Sequence, residues 1–397
     1  MGGRGEKDIW FLVAFSLPVS ISIGIRSVVL MPYLSLIGFT EPEMGLIAMV
    51  NSLFMAIPTI PVGILSDMRG RKAILMASRV LVAISDIMFF SFTDMGGLLI
   101  ASMLGGMGAS MTSATRGAFL ADKAREDVLR QKAFTYSFAL FSTGSVLGSS
   151  LAGIPDLLVS HVGMPLQEAT RVLFALCSIS ALISLALVAL VAEEPRPPGK
   201  RMSVSVRSWD IVGPFCLFQA LLGSGAGLVI PWFSYYFSVR FGVSFSELGL
   251  LFAVAGALMA LGYLSASKLA EKLGDVRTAV VCQLASLGAM LAIPFSPDFT
   301  YAAVFYVARA TLMNMATPVL RAFYMGLLRR EERAFGDAAG NTVFWGFRSL
   351  GSYGSGLLME GASLDAPFFV SSALYVAATL SLGAFFGRRG RALSSKN

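Results

Sequence analysis

The chain has 397 residues, of which 55% are hydrophobic and 14% charged, with a formal net charge of +7. Its mean hydropathy is +0.72, a balance that no water-soluble domain carries on its surface, so lipid is the expected solvent. The basic surplus raises nucleic acid as a partner, but its placement along the chain accounts for it without one.

A bilayer core about 30 Å thick is crossed by ~20 apolar residues in a helix. In chain order, runs of that kind cover Ile9–Ile37, Met44–Leu65, Ala73–Phe92, Leu98–Ala121, Phe134–Leu158 and Val172–Ala192. They continue with Ile211–Phe237, Leu248–Ala266, Ala279–Phe295, Tyr301–Leu328, Thr342–Leu358 and Phe368–Phe386, which makes twelve. None alternates with the period of two that a membrane barrel requires, so the fold class is an all-α membrane protein. The first run is too long for a signal peptide and lacks a small-residue cleavage site, and no loop has room for a soluble domain. Cys177, Cys216 and Cys282 fall inside apolar spans as small packing residues, and His161 stands alone in an expected loop. No disulfide, metal site or cofactor is expected from that inventory.

Basic residues stay on the cytoplasmic side during insertion. One set of alternate loops and ends holds Arg4 and Lys7; Arg69, Arg71 and Lys72; Lys123, Arg125, Arg130 and Lys132; Arg196, Lys200, Arg201 and Arg207. Further along it holds Lys268, Lys272 and Arg277; Arg329, Arg330 and Arg333; and Arg388, Arg389, Arg391 and Lys396, for 23 of the 31 basic residues. The opposite set holds Arg171 and Arg240. Both termini are therefore expected in the cytoplasm of a multi-pass cell-membrane protein.

Residues 193–209 form the longest polar interruption, with Glu193, Glu194, Pro195, Pro197 and Pro198 among its basic residues. This reads as a cytoplasmic linker between six-helix bundles at 1–192 and 210–397. Gly38, Glu43, Gly45, Leu46 and Gly70 recur as Gly242, Glu247, Gly249, Leu250 and Gly274 at one offset of 204, which points to internal duplication. Between the second and third spans stand Gly63, Ile64, Leu65, Ser66, Asp67, Met68, Arg69, Gly70, Arg71 and Lys72. That stretch resembles the signature loop of the major facilitator superfamily, and Lys268 to Gly274 keeps a degraded copy of it. The resemblance covers the whole chain and implies a transporter fold of two parallel bundles. It also implies a cytoplasmic gate built from Gly63, Asp67, Gly70, Arg71 and Asp122. On this reading the glycines permit the turn, Asp67 accepts hydrogen bonds at a helix start, and Arg71 pairs with Asp122. An alternative is that the loop merely fixes topology. Gly144 to Gly153 is similar to part of the family's antiporter motif, with Ser149 in place of the usual proline; close helix packing is an equal reading of it. Ser102 stands where the family usually has an arginine in its fourth helix.

Ionisable groups inside spans are costly and mark wet cavities or partners. Six arginines qualify: Arg26, Arg79, Arg116, Arg309, Arg321 and Arg348. Asn341, Trp345, Arg348, Ser352 and Ser355 fall on one helical stripe. The expected substrate-binding set is Arg26, Arg309 and Arg348, with Asn51, Gln219, Asn314 and Trp345 beside them. The resemblance implies that the first, fourth, seventh and tenth helices line a central cavity. Arg116 and Arg321 suit snorkelling or a gating contact. Asp86, seven residues after Arg79, is either one half of an ion pair with Arg26 or Arg79 or a proton carrier. The positive interior suits an anionic solute, whereas abundant Met and Phe equally suit an amphiphile. The expected activity is secondary active transport by a monomer, as a symporter or antiporter coupled to an ion gradient such as protons, with efflux and organic-anion carriage both open. A receptor or scaffold on the same fold is the alternative. A membrane enzyme would need a nucleophile with its base, which the lone His161 and isolated Asp86 do not supply.

Overall fold

The computed structural model describes residues 2–124, 126–192, 207–329 and 331–394. Most of the expected linker, 193–206, lies outside that set. Among the described residues the secondary structure is helical, and eleven helices are long and apolar enough to cross a membrane. In chain order these begin with α1 (Glu6–Leu36), α2 (Glu41–Ser66), α3 (Arg71–Ser91), α4 (Met95–Lys123), α5 (Asp127–Val162) and α6 (Leu166–Leu190). They continue with α7 (Trp209–Phe241), α8 (Phe245–Tyr263), α9 (Asp275–Ala292) and α10 (Phe299–Leu327). Then comes α11 (Arg333–Gly361), and the eleventh candidate is α12 (Ala366–Gly387). The sequence count of twelve differs by α11. That helix has 29 residues, enough to span, but Asn341, Arg348 and a run of glycines and serines lower its hydropathy.

Several helices run past their apolar windows. α5 covers 36 residues, because its polar start, Asp127 to Ala133, stays helical where hydropathy alone would end it. His161 accordingly sits in the last turn of α5 rather than in a loop. Breaks fall where backbone donors are missing. α2 is interrupted at Ile57 and Pro58, α7 between Val229 and Phe233 around Pro231, and α10 at Ala316 ahead of Pro318, since proline has no N–H to continue the ladder.

The duplication reappears as backbone geometry. Gly38 and Gly242 have φ of +96° and +66°, and Gly70 and Gly274 have +97° and +82°, a region that strains residues with a Cβ. The same offset relates two capping boxes: the Thr40 N–H donates to Glu43 at 2.9 Å and the Ser244 N–H donates to Glu247 at 2.8 Å. Each satisfies donors that a helix start leaves orphaned.

Helices approach backbone to backbone through glycine. A Cβ at Gly148 on α5 would stand 2.1 Å from the Ile21 carbonyl oxygen of α1, and one at Gly227 on α7 would stand 2.2 Å from the Arg348 carbonyl oxygen of α11. The two halves meet at two seams built alike. At α2 against α11, a Cβ on Gly45 would lie 3.0 Å from the Ser352 carbonyl oxygen; at α5 against α8, one on Gly249 would lie 2.5 Å from that of Ser149. Gly45 and Gly249 are a pair at the repeat offset. Hydrogen bonds join the halves at the end where α2 and α8 begin. There the Tyr235 hydroxyl donates to Glu41 and the Ser246 N–H donates to Asp156, both at 2.6 Å. The outward faces carry exposed Leu250, Val304 and Leu380, which suits lipid and would be an aggregation liability in water.

Candidate functional site

At the opposite end of the first half, where α1 starts and α4 and α6 finish, charges tie helices together. Arg71 Nη1 and Asp122 Oδ2 are 2.9 Å apart, as are Lys123 Nζ and Asp8 Oδ2, while Lys72 donates to the Ala189 carbonyl at 2.7 Å. The turn rests on Gly70 alone. Gly63 lies inside the helical segment Thr59–Arg69 with open space around it, so it does not form the turn expected of it. Asp67 lies in the last turns of that same segment rather than at a helix start, because α3 begins only after Gly70; its side chain is outside the described set.

Inside the first half, Arg26 Nε donates to Asp86 Oδ1 at 2.7 Å and Nη2 donates to the Ser85 hydroxyl at 3.1 Å. The guanidinium carbon is 5.3 Å from the Phe89 ring centroid. A Cβ on Gly105 would come within 3.3 Å of Arg26 Nη1 and 3.5 Å of Asn51 Nδ2, so the absence of a side chain there makes the room. Asn51 donates to the Ser102 carbonyl at 3.2 Å. Asp86 is fully buried, and its Oδ2 has no hydrogen-bond partner. Of the two arginines open as its partner, Arg26 makes the contact. Arg79 is an electrostatic neighbour of Asp86 but donates to Thr112 and lies over Phe15. Ser22 and Tyr33, on the same helix as Arg26, bond the Cys177 and Phe89 carbonyls at 3.2 and 3.4 Å and are packed among helices.

The second half contains a cavity of about 300 Å³ between α7, α10 and α11, with contributions from α9 and α12. Gln219, Arg309, Asn314 and Trp345 all line it, which brings four of the expected binding residues to one place. Arg348 stands behind Trp345, its guanidinium carbon 4.7 Å from the indole centroid. Arg26 and Asn51 belong to the other half and do not reach this cavity, which lies within one bundle instead of between the first and second. Arg309 is 3% exposed. Its Nη2 donates to the Tyr375 hydroxyl at 3.0 Å, and its carbon stands 5.3 Å from the Phe233 centroid. Tyr375 is an electrostatic neighbour of both Arg309 and Arg348. Asn314 bonds back to its own helix at Ala310, 2.8 Å away. Arg321 pairs with Asp337 at 2.6 Å, and both line the cavity, nearer the end that carries the start of α11.

Sequence reasoning missed Tyr375 and Asp337. The first reads as one more aromatic in an apolar span. The second reads as a loop acid, because the apolar window of α11 starts after it. The polar stripe of α11 divides in the structure: Asn341 and Trp345 face the cavity, whereas Ser355 donates to the Leu228 carbonyl at 2.7 Å and helps to pin α11 to α7.

Comparison with known proteins agrees with this architecture. Residues 10–212 and 215–397 match the model of the Major Facilitator Superfamily. An uncharacterised MFS-type transporter of Methanocaldococcus jannaschii is 22% identical over 297 residues, 73% of this chain and 75% of the relative. The quinolone resistance protein NorA of Staphylococcus aureus is 28% identical over 148 residues, 37% of this chain and 38% of its own length. In fold, the chain is similar to the nucleoside transporter NupG, with a TM-score of 0.76 and 13% identity over 96% of this chain and 100% of that one. It is also similar to a D-xylose-proton symporter, with a TM-score of 0.71 and 17% identity over 96% of each chain. An inward-facing, unoccupied bacterial homologue of the lysosomal transporter Spinster gives 0.73 and 17% identity over 97% of each. With the family model matched over residues 10–212 and 215–397 and the described residues helical, this multi-pass membrane protein belongs to the major facilitator superfamily.

Proposed function

We propose that the protein is a secondary transporter that moves a small solute across the cell membrane by rocking its two halves, 1–192 and 210–397, against each other. Twelve helices cross the bilayer in this reading, α11 included, and both termini lie in the cytoplasm. The charge distribution supports that orientation: the loops at the terminus end hold most of the basic residues. The observation that carries the reading is the repeated seam. Gly45 and Gly249 occupy equivalent places on α2 and α8, and each lies against the partner bundle. Such seams slide or part without breaking either bundle's core.

The hydrogen bonds at Glu41 and Asp156 close the outer end, and the cavity reaches toward Arg321 and Asp337 at the cytoplasmic end, which supports an inward-facing arrangement. Coupling to a proton or another ion gradient is part of the proposal, with Asp86 as the acid whose Oδ2 is unpartnered. Export is the proposed direction, in keeping with the partial likeness to a quinolone resistance protein.

Spin-label distances test the reading. With the native cysteines replaced by serine, one pair at Met68 and Arg329 reports the cytoplasmic end, and another at Ser160 and Val239 reports the outer end. Each pair should show two populations in lipid nanodiscs, with the long distance at one end accompanying the short one at the other. A single fixed distance at both ends under every condition would instead indicate a receptor or scaffold.

A further inference from the structure

We infer that the solute carries a small oxyanion, a carboxylate or a phosphate, on a small apolar body, and that Arg309 binds this group with Arg348 as a second positive charge behind it. The inference rests on the transport reading above and specifies the substrate class of the same cavity.

The two halves treat their buried arginines differently. In the first, Asp86 neutralises Arg26. In the second, the carboxylate that lines the cavity is Asp337, and Arg321 already pairs with it. Arg309 makes its hydrogen bond to a neutral phenol, and Arg348 makes its closest cation contact with an indole face. The Nε atoms of both arginines are buried without an acceptor. A guanidinium removed from water and left without a counter-charge is unfavourable, so a site with two of them is completed by an anion. The planar fork of Arg309 fits a carboxylate or phosphate edge in a way that a point charge would not. Tyr375 accepts from Arg309 and keeps its own hydroxyl proton to donate to the same anion.

Size and walls set the rest of the molecule. A cavity of about 300 Å³ is at the small end of ligand pockets, which run from about 300 to 1,000 Å³. Phe215, Tyr324, Phe344 and Trp345 supply apolar and aromatic walls, while Gln219 and Asn314 provide neutral hydrogen-bonding groups.

Binding to purified full-length protein in nanodiscs, followed by titration calorimetry and by tryptophan fluorescence through Trp345, tests this directly. The probes are benzoate, phenyl phosphate, the neutral benzamide and the cation benzylamine. Benzoate or phenyl phosphate should bind saturably and at least about tenfold tighter than benzamide, and whichever of the two binds tighter identifies the oxyanion. Arg309→Gln should reduce that preference to within about twofold, and Arg348→Gln should weaken it less. If Arg309→Gln fails to fold, as judged by its thermal melt without probe, Arg309→Lys keeps the charge without the fork and should still lose most of the preference. Equal binding of benzamide or benzylamine and the anions would overturn the inference. So would the absence of anion binding in protein whose spin-label distances still show both populations, and that result leaves the transport reading intact. Anion binding at Arg309 in protein with one fixed distance would instead remove transport and keep the site.

Discussion

Arg26 and Asp86 neutralise each other at full burial of the carboxylate, and removing one member leaves the other charge stranded. Asp86→Asn is expected to destabilise the protein by about 3–5 kcal/mol, and the double variant with Arg26→Gln should recover a large part of that loss. Thermal unfolding in detergent checks this, and a double variant no better than the single would contradict the pairing. Outside the membrane, the Ser208 hydroxyl and the Arg207 N–H donate to Glu332 at 2.5 and 2.6 Å, which holds its carboxyl below the ordinary 4.5. Because the folded value is the lower one, those bonds stabilise the protein fully above the ordinary value, and the contribution is lost as pH falls through the folded value. The unfolding midpoint should therefore drop more steeply between about pH 5 and pH 3 in the native protein than in Glu332→Gln. The buried arginines were legible in the sequence because a charge in an apolar run has few uses. Their partners were not: the sequence left Arg26 and Arg79 both open for Asp86, and only the packing of α1 on α3 selects Arg26.

The helices meet through missing side chains, so adding a methyl tests each contact. Gly148→Ala would place a Cβ 2.1 Å from the Ile21 carbonyl oxygen, whereas Gly346→Ala meets nothing within 4 Å. The first should lower stability by about 1–3 kcal/mol, and the second should be neutral or slightly stabilising through helix propensity. Thermal melts of the two variants side by side decide it, and equal effects would contradict the close α1 and α5 approach. Gly70→Ala should also cost about 1–3 kcal/mol, because its φ of +97° with ψ of 140° is strained for any residue with a Cβ. The spans were legible from hydropathy because lipid is the solvent. Their ends were not, since polar turns such as Asp127 to Ala133 remain helical beyond the apolar window. α11 was read as a span only by allowing a polar stripe, and that stripe divides between the cavity and the α7 contact.

At the scale of the molecule, the repeat at offset 204 was legible from five residue matches and returns as paired positive-φ glycines, paired capping boxes and paired seams. A cavity inside one half was not legible, because it depends on how α7, α10 and α11 diverge, and spacing along one helix says nothing of that. Alternating access requires the seam between α5 and α8 at Gly153 and Ser246 to open, and a disulfide across it tests this most directly. A Cβ at Gly153 would lie 3.3 Å from the Ser246 Cβ, close to the 3.5–4.5 Å that a disulfide spans. In a background without Cys177, Cys216 and Cys282, the pair Gly153→Cys and Ser246→Cys should form this bond on oxidation. The oxidised protein should show only the long distance between Met68 and Arg329 at the opposite end, and dithiothreitol should restore both populations. Two populations persisting at that end while this seam is covalently shut would contradict alternating access.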